Sequence, residues 1–138
     1  MTQIDISAVT KRAIEARSSE LSASIMHTPV APLHSPLISS LIKGCRVHLK
    51  LECLQHTGTF KARGALSVAH QISHQKRQLG ITAASAGNHA IAAAWAAQQL
   101  GLSAKVVMQS SANPFRICLL YTSPSPRDRT RSRMPSSA

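Results

Sequence analysis

The sequence predicts an α/β unit built on a partial parallel sheet, and three observations carry the prediction. Short apolar runs at 46–51, 81–84 and 104–108 have the length and composition of strands. Longer segments at helical spacing, 61–79 and 89–100, separate them. Gly80 and Gly101 stand where each helix must stop. Strand, helix, strand, helix, strand with short links is the pattern of a parallel sheet with crossover helices. The last strand is an edge with nothing after it, so the unit reads as incomplete.

Taken in order, residues 6–21 place Ile6, Val9, Ala13, Ile14 and Leu21 at helical spacing, with Asp5 available as a cap. The stretch from Thr28-Pro29 through Pro36 interrupts regular structure. Residues 37–42 read as a short helical turn stopped at Gly44. Val47, Leu49 and Leu51 alternate with polar neighbours as in a strand. Residues 61–79 read as one helix, 81–84 as a strand, 89–100 as an alanine-rich helix, and 104–108 as a strand centred on Val106 and Val107. Trp95 and Met108 are expected in the core.

The chain of 138 residues has room for one domain with a modest core. A net charge of +11 and an isoelectric point near 10.9 raise nucleic acid as a partner. The charge is not clustered, however. Up to Ile117 there are 12 Lys and Arg against 4 acids, scattered singly or in pairs, with few aromatics to stack on bases. No nucleic-acid partner is expected, and a basic binding protein is kept only as the non-enzymatic alternative. Cys45, Cys53 and Cys118 form neither a disulfide framework nor a zinc pattern, and His48, His70 and His74 lack ligand spacing, so no metal is expected. The N-terminus lacks an apolar signal region and no run approaches a membrane span, which makes a cytoplasmic protein without a membrane partner the expectation.

After Arg116 the composition turns to Ser, Pro and Arg without periodicity. The peptides CLLYTSPSPRD and SRMPSSA reverse-translate, in one frame, into DNA that resembles the transposon-end and adapter sequences of sequencing libraries. Residues 118–138 are therefore expected to be a non-native, disordered tail, and residues 1–117 the N-terminal part of a catalytic domain.

Two stretches carry chemistry. In LECLQHTGTFKARGAL, Lys61 follows a Thr-Gly-Thr turn and opens a helix, which puts an ammonium at the positive end of the helix dipole. That position and the apolar neighbours Phe60, Ala62 and Ala65 favour an uncharged, nucleophilic amine; most lysines are instead solvated surface groups. In ITAASAGNHA, the turn Ser85-Ala86-Gly87-Asn88 joins a strand to a helix, so free backbone N–H groups face an anion site. Ser85, Asn88 and His89 add side-chain donors and Gly87 permits close approach. Alone, the loop would be read as an N-cap. No G-x-G-x-x-G follows either early strand, which argues against a dinucleotide half-domain.

Together, TGTFKARGA and SAGNHA resemble the cofactor-lysine motif and the substrate-carboxylate loop of the pyridoxal-phosphate enzymes of the threonine and serine dehydratase group, a fold-type II family. The HTP segment at 27–29 and SSANPFR at 110–116 are similar as well, so the resemblance runs from about residue 20 to Arg116. It implies that Lys61 holds pyridoxal 5'-phosphate as an imine and shuttles the substrate's α-proton. Phe60 would lie against the cofactor ring and Asn88 would bond its 3-hydroxyl. Ser85, Gly87, Asn88 and His89 would embrace the carboxylate of the amino-acid substrate. The implied reaction is α,β-elimination of water from threonine or serine, giving a 2-oxo acid and ammonia. The intact enzyme would be a homo-oligomer. Serine racemases of this fold resemble the same pattern but carry a serine at the position of Ala86, which favours a dehydratase here. The family's glycine-rich phosphate loop has no counterpart after Ile117, so activity is expected of a longer parent protein and not of this chain.

Overall fold

The structure, a computed structural model, describes residues 9–42 and 44–122. Helices α1 (Lys11–Leu21), α2 (Pro36–Leu41), α3 (Lys61–His70), α4 (His74–Arg77), α5 (Asn88–Gln99) and α6 (Pro114–Thr122) alternate with strands β1 (Val30–Pro32), β2 (His48–Lys50), β3 (Ile81–Ala84) and β4 (Ala104–Val107). Strands β3 and β4 pair in parallel, Ile81 opposite Ala104 through Ala84 opposite Val107, with α5 as the crossover. This is the expected α/β unit with a partial parallel sheet.

Three expectations are corrected. The strand at 46–51 shortens to β2 and does not join the parallel sheet. It pairs antiparallel with β1, Val30 opposite Lys50, inside the stretch read as irregular. Only three residues pair, one of them proline, so no local pattern announces β1. The helix expected over 61–79 breaks between His70 and His74, where Ser73 turns extended (φ −59°, ψ 148°). The Ile72 carbonyl is taken by the Arg77 guanidinium at 3.3 Å. Lastly, α6 carries the chain in helical form through Cys118 to Thr122, past the boundary set for a disordered tail, because the apolar run after Arg116 continues a helix begun at Pro114. Asp5, Ile6 and residues 123–138 lie outside the described residues. Thr10 caps α1 instead, accepting from the Ala13 amide at 3.1 Å.

The core is small and rich in alanine. Leu21, Leu66, Ala69 and Ala96 form its centre, flanked by Ile25, Ile81, Trp95 and Leu100. Ala62, Ala90, Ala92, Ala93 and Ala97 are buried around it. Each buried methyl contributes about 0.8 kcal/mol against roughly 1.5–3 for a larger apolar chain, so stability rests on close helix approach and not on bulk.

A polar clasp ties the N-terminal segment to α3. The Arg63 guanidinium grips the Glu52 carboxylate with two bonds of 2.8 Å, Nε to Oε2 and Nη2 to Oε1. Thr28 Oγ1 donates to the same carboxylate at 2.5 Å. Lys50 Nζ donates to the Thr28 carbonyl at 2.9 Å, and Arg63 Nη2 to the Met26 carbonyl at 3.1 Å. Buried Gln55 binds both the amide and the carbonyl of Met26, at 3.1 and 2.8 Å. The Arg63 hydrogen bonds, then the Thr28 hydroxyl and the nearby cations, hold Glu52 down at about pKa 2 against the opposing effect of burial.

A depressed carboxylate stabilises the fold above its unfolded pKa and loses that contribution as pH falls through the folded value. Glu52→Gln is expected to lower the unfolding free energy of the chain by about 1–3 kcal/mol at pH 7. In urea titrations repeated from pH 7 downward, the gap between wild type and variant should narrow from about pH 4.5 and close near pH 2. A gap that does not change with pH would show that the carboxylate charge is not what the clasp uses.

Candidate active site

Lys61 is the first residue of α3, and no acidic residue occupies that helix's first turn. Its amide donates to Thr59 Oγ1 at 3.3 Å, and its ammonium lies over the ring of Phe60, 4.9 Å from the centroid. The turn before it is strained. Thr57 sits in the left-handed region (φ 65°, ψ 10°), followed by Gly58 at φ 67°. A β-branched residue held there stores roughly 1–2 kcal/mol. Thr57 Oγ1 is buried with no hydrogen-bond partner. The turn stays in place because the Gly58 amide bonds the Gln55 carbonyl at 2.8 Å and the His56 ring stacks on Trp95 of α5, centroids 5.0 Å apart.

The second stretch begins where β3 ends. The Ser85 amide continues the parallel ladder to the Val107 carbonyl at 3.0 Å, and Ser85 Oγ then accepts from the Gly87 amide at 3.2 Å. Gly87 is the N-cap residue of α5 without a side-chain cap, so Asn88 and His89, both exposed, form the helix's free first turn.

A cleft of about 400 Å³ brings part of the predicted set together. Phe60, Lys61 and His89 line it, with Gly64 and Val68 of α3 and Thr82 of β3. Lys61 and His89 each stand in the first turn of a helix, so two positive helix ends meet at one cleft. Ser85, Gly87 and Asn88 are not in its wall; they precede His89 in the loop beside it. A Cβ on Gly64 would meet nothing within 4 Å, so the glycine keeps that wall open. Among the described residues no group of three or more His, Cys, Asp and Glu could hold a metal, and no helix is long and apolar enough to cross a membrane.

Sequence pattern alone assigns no role to Glu52, Gln55 or Arg63, although all three fall in the stretch around the lysine. Their signal is chemical: a carboxylate, an amide and a guanidinium inside an otherwise small and apolar segment. Arg116 enters the motifs only as the end of SSANPFR. The structure sends its guanidinium to the SAGN turn, where Nη1 donates to the Ala86 carbonyl at 3.4 Å.

Residues 21–122 match the family described as "Pyridoxal-phosphate dependent enzyme", and the chain belongs to that family. Within it, the chain is 50% identical over 78 residues to the phenylserine dehydratase of Ralstonia pickettii, covering 56% of this chain and 24% of that protein. It is 39% identical over 99 residues to the catabolic L-threonine dehydratase of Staphylococcus aureus, covering 72% of this chain and 28% of that one. A solved threonine deaminase of T.th. superposes with a TM-score of 0.66 at 37% identity over 82% of this chain and 34% of that one. The serine racemase of Dictyostelium discoideum gives 0.71 at 28% identity, over 81% and 36%. The chain thus spans about a quarter of the length of these curated relatives.

The family's cofactor is pyridoxal phosphate, and the residues present fit it. A primary amine lines a mostly apolar cleft together with Gly64, where a Cβ would meet nothing within 4 Å, so the wall there has room for a planar group. The three acids among the described residues, Glu15, Glu20 and Glu52, are all paired elsewhere, so no carboxylate competes for that amine.

Relieving the strain at Thr57 should stabilise the chain. Thr57→Gly removes both the left-handed penalty and the orphaned hydroxyl, and is expected to raise the urea-unfolding free energy by about 1 kcal/mol after glycine's entropic cost. A loss of stability instead would mean that the Thr57 side chain packs more usefully than its missing hydrogen bond suggests.

Proposed function

We propose that this chain is the N-terminal part of a pyridoxal-phosphate-dependent ammonia-lyase that removes water from a hydroxy amino acid, threonine or serine, to give a 2-oxo acid and ammonia. One observation carries the reading: Lys61 and His89, each in the first turn of a helix, line one cleft, and the SAGN turn stands directly before His89. The dehydratase names of the relatives support it.

The cofactor, when bound, supplies an electron sink for the charge left at the substrate's α-carbon. The protein's own residues do the rest. The amides at the start of α5, with the Ser85, Asn88 and His89 side chains, receive the substrate carboxylate at the positive helix end. Lys61, fixed at the head of α3, would hold the cofactor through its amine and take the substrate's α-proton at its Nζ. Phe60, whose ring lies under the lysine's ammonium, would flank the cofactor, and Asn88 would hydrogen-bond it. Water leaves across the Cα–Cβ bond, and hydrolysis releases ammonia.

Racemase neighbours with TM-scores of 0.70 and 0.71 favour a second reading, racemisation of serine. Ala86 opposes it, because a methyl group cannot deliver a proton to the opposite face of the substrate.

The catalytic chain is, in this reading, a longer cytoplasmic parent protein that assembles with copies of itself. Residues 1–117 belong to it and residues 118–138 do not. Reading the source locus past the Arg116 codon should show an open frame continuing with further strands and a glycine-rich loop. The protein made from that frame should form 2-oxobutanoate from threonine or pyruvate from serine. Lys61→Ala should lower its kcat by about 10³-fold or more and abolish the borohydride-trapped cofactor adduct on that residue. The 138-residue chain should give no such adduct. Formation of D-serine without 2-oxo acid would replace the lyase reading by the racemase one, and a robust adduct on the 138-residue chain would overturn the need for a longer parent.

A further inference from the structure

We propose that Arg116 is the positioning residue of the carboxylate loop: it holds the Ser85–Asn88 turn in the shape that presents the uncapped start of α5 to the substrate. The inference rests on the lyase reading for the identity of the ligand, and on geometry for the rest.

Arg116 lies 30 residues beyond Ala86 in sequence, yet its Nη1 donates to the Ala86 carbonyl at 3.4 Å. The same nitrogen stands 3.0 Å from where a Cβ on Gly87 would be. The guanidinium therefore closes over the turn, and Gly87 is the residue that leaves it room. Its own placement is set upstream of the basic tail. Asn113 accepts the Phe115 amide on Oδ1 at 2.9 Å, its carbonyl accepts the Arg116 amide at 2.9 Å, and Pro114 opens the helix. These residues all precede the tail boundary.

The electrostatics give the contact a purpose. Arg116 sits beside the first turn of α5, where the helix's own partial charge is positive. Glu15, Glu20 and Glu52 are each engaged by another cation, so no carboxylate among the described residues offsets the guanidinium. Two positive features placed together repel unless an anion bridges them, and in this reading the anion is the substrate's carboxylate. Without it, the carbonyl of Ala86 is the acceptor that keeps Arg116 at the loop. The arrangement orders the loop before substrate arrives, which lowers the entropic cost of binding.

The test uses the full-length parent protein and the 138-residue chain in parallel. In the parent, Arg116→Met should raise KM for threonine or serine by about tenfold while kcat stays within about threefold, since the loop binds ground state and transition state alike. Arg116→Lys, which can still reach the Ala86 carbonyl, should recover most of the loss. Gly87→Ala should mimic Arg116→Met, and the double variant should add little to either. In the 138-residue chain, without cofactor or substrate, hydrogen exchange at the Gly87 amide should quicken by about tenfold in Arg116→Met. An unchanged KM, or an equal fall in kcat with the lysine variant no better than methionine, would overturn the inference while leaving the lyase reading intact. A wild-type parent with no lyase activity would remove that reading, and the exchange rate of the Gly87 amide would then decide for or against Arg116 by itself.

Discussion

The carboxylate of Glu52 is the point on which the positioned lysine depends. One anion gathers the Thr28 hydroxyl, both arms of the Arg63 fork and the charge of Lys50, and these come from three separate segments of the chain. Arg63 is two residues after Lys61, so fixing its guanidinium fixes the first turn of α3. Gln55 repeats the logic one turn earlier by taking the amide and carbonyl of Met26, the segment Arg63 also touches. Removing one partner would leave a mostly buried charge uncompensated, which costs more than the pair contributes when intact. The clasp is therefore better understood as specifying where α3 begins than as a large source of stability.

With α3 anchored at its head, the alanine-rich core determines how near α5 can come. Ala62, Leu66 and Ala69 on α3 and Ala92, Ala93 and Ala96 on α5 are buried, and among the described residues only Leu66 of the fully buried side chains is large. Small residues allow close approach of helix backbones. That closeness lets the first turns of both helices reach one cleft. Bulkier residues on these faces would push the helices apart and separate Lys61 from His89. The stacked pair of His56 and Trp95 adds a second tie, from the strained turn before the lysine to the middle of α5.

Much of this was legible in the sequence, and the exceptions share a cause. Strand β3 and helix α5 appear within a residue of their expected bounds, because glycines bound them: Gly80 stands just before β3 and Gly101 just after α5. The family motifs marked Lys61 and the SAGN turn because local residue order carries them. What escaped is set by partners distant in the chain. Strand β1 exists through pairing with β2, and the clasp joins residues 22 to 37 positions apart as well as near ones. Single polar residues such as Glu52 and Arg116 have no period to reveal them.

The distribution of charge ties these strands of argument to chemistry. A chain with 16 basic and 5 acidic residues invites a reading in terms of nucleic acid, but the positive groups that matter are few and placed. Lys61 and the two helix ends converge on one cleft, and Arg116 closes over the turn beside it. The acids of the described residues are meanwhile spent on α1 and on the clasp. Glu52 in particular neutralises Arg63 close to the site without facing the amine of Lys61 as a partner. By binding Arg63, Glu52 positions the lysine through the backbone and does not occupy its nitrogen.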